Sequence, residues 1–132
     1  MKKRFLFPLT SILTLLFSVM GYSQVKMTVY QFDSLINKNK TIQLIDVRTP
    51  AEVAAGHIKG AKNIDFNAPD FVQKISALDK TKPVAVYCAA GGRSGRSAIK
   101  LKELGFAQIY DLAGGMTEWK AKQKPVEISP LH

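Results

Sequence analysis

Val84-Ala85-Val86-Tyr87-Cys88-Ala89-Ala90-Gly91-Gly92-Arg93-Ser94 runs from an apolar strand through two glycines into a helical pattern carried by Ala98, Leu101 and Leu104 to Gly105. A short buried strand, a tight turn and an amphipathic helix in that order form one half of a parallel α/β unit. The paired glycines let the backbone fold with its amide hydrogens pointing inward, and the helix N-terminus adds partial positive charge at the same place. Cys88, the sole cysteine, stands at that point. A thiol so placed is expected to ionise more easily than a free one. Arg93 adds a planar cation whose fork suits an oxyanion, so one short loop holds a nucleophile, an anion cradle and a guanidinium.

Outward from this loop, apolar runs bounded by turn residues alternate with helical patterns, which is the α/β signal. Thr28 with Gln31 has the form of a capping box, and Phe32, Leu35 and Ile36 would line the inner face of the helix it opens. Thr41 to Val47 reads as a buried strand. Thr49-Pro50-Ala51-Glu52 is a second helix start, with proline at the first helical position and glutamate at the third, and Gly56 closes it. Ala61 to Ile64 is expected as a short strand, and Asp70 to Leu78 as a helix with Phe71, Ile75 and Leu78 on one face. A strand at 108–110, a helix at 117–122 carrying Trp119 and a frayed tail at 126–132 complete the pattern. The expected fold is an open α/β sheet, mostly parallel, with helices on both faces. Its carboxyl edge is where such folds place their ligands, and Cys88 falls there by topology.

Residues 1–23 read as a signal peptide: Lys2-Lys3-Arg4 is a basic head, Phe5 to Met20 is mostly apolar, and Gly21 and Ser23 are small residues at the positions a signal peptidase reads. The apolar run is interrupted by Pro8, Thr10, Ser11, Thr14 and Ser18 and falls short of the roughly 20 residues a membrane span needs. Cleavage after Ser23, export to the periplasm or beyond, and no stable membrane insertion afterwards are the expectations. Taking 23 from 132 residues leaves 109, enough for a single domain at 24–132. Three basic residues leave with the leader, so the net charge falls from +9 to +6. The remaining lysines are scattered, so nucleic acid is not an expected partner, since its footprint is a concentrated basic stripe.

An exported chain with internal disulfides needs cysteines in pairs, and the unpaired Cys88 beside two glycines and an arginine reads as a reactive thiol. One cysteine and two histidines cannot close a four-ligand zinc shell, so no metal site is expected. Asp46 and Arg48 read as paired scaffolding near the sheet edge, His57 as a structural hydrogen-bonding residue and Trp119 as core packing.

Three ordered blocks carry a family resemblance. Cys88, Gly91, Arg93 and Ser94 match the active loop Cys-x-x-Gly-x-Arg-Ser of the rhodanese family. Leu44 to Glu52, followed by Gly56-His57-Ile58-Lys59-Gly60-Ala61 and Asn63-Ile64, resembles its upstream signature. Leu112-Ala113-Gly114-Gly115-Met116 with Trp119 resembles its closing segment. Val53 replaces a usual aromatic, Lys59 a usual proline, and Ala89 and Ala90 stand where thiosulfate-preferring members often carry a cation.

What the resemblance implies is sulfurtransferase chemistry without a cofactor. Cys88 would take a sulfur from a small anionic donor such as thiosulfate and hold it as a persulfide. A thiol or cyanide would then accept it. Ala89, Ala90, Gly91, Gly92, Arg93 and Ser94 would bind the substrate, with Arg93 either holding the donor's anionic end or bracing the loop. Two other readings stay open. One is a relay or binding module that hands a persulfide to a protein. The other is a phosphatase or arsenate reductase of the related fold, whose loop is one residue longer than the four that Cys88 and Arg93 enclose.

Overall fold

Both capping boxes form, and they fix where the chain turns from extended to helical. Thr28 and Gln31 exchange side-chain and backbone hydrogen bonds at the start of α1 (Val29–Lys38), and Thr49 and Glu52 do the same at the start of α2 (Pro50–Ala54). The computed structural model describes residues 2–4 and 23–128. The leader expected at 1–23 therefore lies almost wholly outside the described residues. Among those described, no helix is long and apolar enough to cross a membrane.

Five strands form one sheet in the order β1-β5-β4-β2-β3, and every neighbouring pair is parallel. The strands are β1 (Ser23–Met27), β2 (Gln43–Asp46), β3 (Lys62–Asn63), β4 (Val84–Tyr87) and β5 (Gln108–Leu112). The connecting helices are α1, α2, α3 (Phe71–Ser76) and α4 (Gly92–Glu103), with α5 (Gly115–Ala121) last. All residues of β4 are buried, as a central strand covered on both faces must be.

The alternation of β4 sorts the core into two layers. Val84, Val86 and Cys88 face one side with Phe71 and Ile75 of α3 and Ala98 and Leu101 of α4. Ala85 and Tyr87 face the other with Val29 and Phe32 of α1 and Met116 and Trp119 of α5. Helices thus cover both faces, as expected. Burial of a large apolar side chain such as Phe32 contributes about 1.5–3 kcal/mol. Phe32 also meets Tyr87 edge to face, with ring centroids 6.4 Å apart.

The structure departs from the sequence expectations in three places. Strand β1 was not foreseen: it pairs with β5 from Ser23↔Gln108 to Met27↔Leu112 and forms one edge of the sheet. Helix α4 begins at Gly92, two residues before the expected start at Ser94, because Gly91 adopts φ +102 and turns the chain directly into the helix. The tail expected to fray at 126–132 is tied down at its beginning. His57 N donates to Glu127 O at 2.9 Å and Glu127 N to His57 O at 2.8 Å, so two backbone hydrogen bonds offset the cost of ordering it. Residues 129–132 lie outside the described part.

Candidate active site

Cys88 follows the last residue of β4, and its side chain continues the face of Val84 and Val86, so the strand's own period aims the sulfur at the first turn of α4. It is a free thiol and only 1% exposed. Gly91 N donates to Cys88 Sγ at 3.1 Å. The thiol lies 3.5 Å from Ser94 Oγ, and Ser94 in turn donates to the Gly91 carbonyl at 3.3 Å. Once the thiol ionises, the Ser94 hydroxyl can turn its proton to the sulfur. Burial pushes the thiol up, but hydrogen bonds from the Ser94 side chain and the backbone at Ser94, Gly91 and Ala90 outweigh it, and Cys88 ionises below the ordinary 9.0. The expected cradle of amides is therefore present. Gly91 caps α4 and Ser94 lies in its first turn, where the helix N-terminus stabilises negative charge.

The loop is held from two sides. On one, the first residues of α5 dock beneath it: Met116 N donates to the Cys88 carbonyl at 2.8 Å and Thr117 N to the Ala89 carbonyl at 2.9 Å. Gly115 allows this approach. Its φ is +59, and a Cβ there would meet the carbonyls of both Ala89 and Cys88. On the other side, Arg93 Nη1 donates to Glu52 Oε1 at 2.7 Å and Nη2 to Oε2 at 2.9 Å. The Arg93 guanidinium holds the Glu52 carboxyl at about 2, well below its ordinary 4.5. Of the two roles the sequence left open for Arg93, bracing the loop matches this geometry. Ala89 is half-buried and Ala90 and Gly92 are exposed beside the cradle.

Asp46 and Arg48 form the buried pair that the sequence suggested. Arg48 Nη2 donates to Asp46 Oδ2 at 2.7 Å and to the Gly56 carbonyl at 2.7 Å, joining β2 to the end of α2. His57 is structural: its Nδ1 lies 3.2 Å from the Val53 carbonyl. Trp119 is 2% exposed and donates Nε1 to the Pro125 carbonyl at 2.9 Å, so it packs the core and anchors the tail. Among the described residues no group of three His, Cys, Asp or Glu side chains is placed to hold a metal.

Two residues near the thiol were not singled out by the sequence. In the sequence Glu52 has only the pattern of a helix cap, because its partner Arg93 is 41 positions away and no local pattern links them. Asp111 lies on β5 under α4, is 1% exposed, and its Oδ1 has no hydrogen-bond partner among the described residues. Burial pushes its carboxyl up against the opposing pull of Ser94 and Lys26. The sequence pattern ends this strand at Tyr110, two residues before the observed end of β5 at Leu112.

Beside the loop lies a cleft of about 270 Å³ lined by Arg48, Glu52, Ala55, Ala89, Met116, Thr117 and Lys120. A nucleophile held in an amide cradle can attack an electrophilic atom and carry the resulting group covalently.

Known proteins share both the sequence and the fold. Over 82 residues the chain is 44% identical to YqhL, an uncharacterised protein of Bacillus subtilis, an overlap of 62% of this chain and 64% of that one. It is 39% identical over 87 residues to the thiosulfate sulfurtransferase GlpE of Pseudomonas fluorescens, covering 65% and 76% of the two chains. The crystal structure of a rhodanese-related protein from Thermoplasma volcanium superposes with a TM-score of 0.70 at 30% identity, over 79% of this chain and 98% of that one. The rhodanese-like domain model matches residues 28–122, from the cap of α1 to the end of α5, and takes in every element that builds the loop around Cys88. By that match the chain belongs to the rhodanese-like domain family.

Proposed function

We propose that this protein is an exported sulfurtransferase that moves a sulfane sulfur from thiosulfate or a similar small anionic donor to a thiophilic acceptor through a persulfide on Cys88. The observation that carries the reading is the cradle itself: a buried thiol accepting from Gly91 N and lying beside Ser94 Oγ, in a loop shared with the family. The similarity to a thiosulfate sulfurtransferase supports the choice of donor.

In the first step the Cys88 thiolate attacks the outer sulfur of thiosulfate. The Cys88–sulfur bond forms as the donor's sulfur–sulfur bond breaks, and sulfite leaves with that bond's electron pair. The persulfide then occupies the place where the Gly91, Ala90 and Ser94 backbone stabilises negative charge. In the second step cyanide or a thiolate attacks the outer sulfur, and Cys88 leaves as a thiolate, ready for another turn. Two chemical steps through a covalent intermediate give ping-pong kinetics.

The competing phosphatase reading needs an arginine free to clasp a tetrahedral oxyanion, and here Arg93 gives Nη1 and Nη2 to Glu52. That commitment favours sulfur transfer. A relay to a protein acceptor would use the same persulfide. Formation of thiocyanate from thiosulfate and cyanide tests the proposal: the wild type should turn over and Cys88→Ser should not. A wild type that forms no thiocyanate with any sulfane donor, yet hydrolyses aryl phosphates, would replace it.

Export rests on the basic head, the apolar run and the small residues before Gln24. Cleavage after Ser23 would keep four of the five residues of β1, which run from Gln24 to Met27.

A further inference from the structure

Asp111 is a buried carboxyl that the two sulfur-transfer steps leave unused. It is the parallel partner of Val86 on β4 and of Lys26 on β1. Paired residues of neighbouring strands point to the same face, so its side chain shares the layer of Val86 and Cys88, as does that of Ile109 two residues earlier. Helix α4 covers this layer with Ser94 and Ala98, both fully buried. A Cβ built at Gly95 would stand 3.8 Å from Asp111 Oδ2, so the carboxyl lies against the first turn of α4.

Ser94 touches the thiol and acts on the carboxyl. Cys88 donates its S–H to Ser94 Oγ at 3.5 Å. A hydroxyl can accept through its lone pairs while it donates its one proton, so Ser94 can serve the sulfur and a second acceptor together. One such acceptor is the Gly91 carbonyl, a long contact at 3.3 Å. The other is Asp111, whose carboxyl Ser94 pulls down against the upward push of burial. Asp111 Oδ1 has no hydrogen-bond partner among the described residues, and a buried carboxylate oxygen in that state bears its full desolvation cost. Few charges relieve it. Lys26 of β1 pulls the carboxyl down but is exposed and forms no ion pair among the described residues. Arg93 of α4 is turned to Glu52, Arg96 is exposed, and β4 offers only the Cys88 thiol that follows it.

We infer that Asp111 is the proton acceptor of the Cys88 thiol, reached through the Ser94 hydroxyl, so that cysteine and aspartate hold one proton between them. The S–H bond breaks as its proton passes to Ser94 Oγ, and the proton that Ser94 already carried passes to an Asp111 oxygen. The electron pair of the S–H bond stays on sulfur, the new Ser94 O–H points at the thiolate, and nothing is oxidised or reduced. Asp111 becomes a neutral carboxyl. The buried layer thus carries one negative charge, on oxygen or on sulfur, and the thiolate is not opposed by a second. Asp111 is a positioning residue, since it acts through Ser94 and touches no substrate. The inference rests on Cys88 as the nucleophile of the sulfur-transfer reading but concerns its ionisation, which is measured without turnover.

A shared proton leaves a signature in the pH profile. The form with thiolate and neutral carboxyl holds as many protons as the form with thiol and carboxylate, so its share is constant between the two titrations. Alkylation of wild-type Cys88 by neutral iodoacetamide should therefore level off on the acid side of the thiol midpoint, and fall again only where Asp111 itself takes up a proton, at a pH above its ordinary 3.8. In Asp111→Asn the proton has no second place to go, and the rate should fall about ten-fold per pH unit along the whole acid limb. Its alkaline limit should be retained, which a merely structural loss would not allow. A second measurement needs no substitution: the carbon-13 NMR signal of the Asp111 carboxyl should titrate in two steps, the upper one at the thiol midpoint, and blocking Cys88 with iodoacetamide should remove that upper step. If Asp111→Asn does not fold, this signal decides alone. A wild-type rate with no level stretch, a level stretch that survives in Asp111→Asn, or a carboxyl that titrates in one step whether or not Cys88 is blocked would each overturn the inference. Thiocyanate formation reports separately on sulfur transfer, so failure of one reading is not mistaken for failure of the other.

Discussion

Arg93 and Glu52 meet fork to fork, with Nη1–Oε1 at 2.7 Å and Nη2–Oε2 at 2.9 Å, and so join the first turn of α4 to the first turn of α2. Glu52 simultaneously completes the Thr49 capping box, accepting from Thr49 N at 3.3 Å and Thr49 Oγ1 at 3.1 Å. One carboxylate therefore fixes a helix start and the arginine of the active loop.

Because these two side chains act as a unit, their substitutions should not add. Arg93→Ala and Glu52→Ala are each expected to lower thiocyanate-forming kcat/KM, and the double variant to be little worse than the poorer single, with a coupling of about 0.5–3 kcal/mol. Strict additivity would mean that Arg93 meets the donor independently of Glu52. The same carboxylate imposes an acid sensitivity. Its folded pKa of about 2 lies below the ordinary 4.5, so its contribution to stability is present above pH 4.5 and is lost as pH falls toward 2. Urea midpoints measured across that window should fall less steeply for Glu52→Gln than for the wild type.

Cys88 ionises below 9.0 because the Ser94 hydroxyl and nearby amides overcome its burial. Ser94→Ala removes the hydroxyl and keeps the amides, so the midpoint of the pH dependence of iodoacetamide alkylation should move up. A midpoint unmoved by the substitution would leave the amides as the sole source of activation.

Gly115→Ala places a methyl group against the Ala89 and Cys88 carbonyls at a residue with φ +59, whereas Gly92→Ala meets nothing within 4 Å and needs no unusual backbone angle. The first should cost about 1–3 kcal/mol of stability and most of the activity, through displacement of the loop from α5. The second should be nearly neutral in stability. Thermal unfolding of the two variants side by side checks the contrast.

Much of this architecture is legible in local sequence. The Thr28 and Thr49 boxes, the apolar run at 84–87 and the glycines beside Cys88 each act over a few residues, so pattern and structure agree. Strand β1 escaped because it is a short edge strand whose Val25 is 37% exposed and whose first residue, Ser23, is the last of the segment that reads as a signal peptide. The Arg93–Glu52 pair and the docking of α5 beneath Cys88 depend on chain reversals of many residues, which leave no periodic trace. Asp111 was hidden for a related reason: a buried carboxyl on a central face contradicts the strand pattern that would have revealed it.

Export is checked at the N-terminus. Protein recovered from the native envelope should begin at Gln24, one residue into β1. Washed membranes that hold the intact chain from Met1 would make the leader an anchor instead.

The central claim is that Cys88 carries sulfur, and the intact mass of the purified protein tests it most directly. Incubation with thiosulfate should add one sulfur atom to the wild type and none to Cys88→Ser, and cyanide should then restore the original mass with release of thiocyanate. A Cys88→Ser protein that still gains the sulfur, or a wild type that gains none from any sulfane donor, would contradict the account.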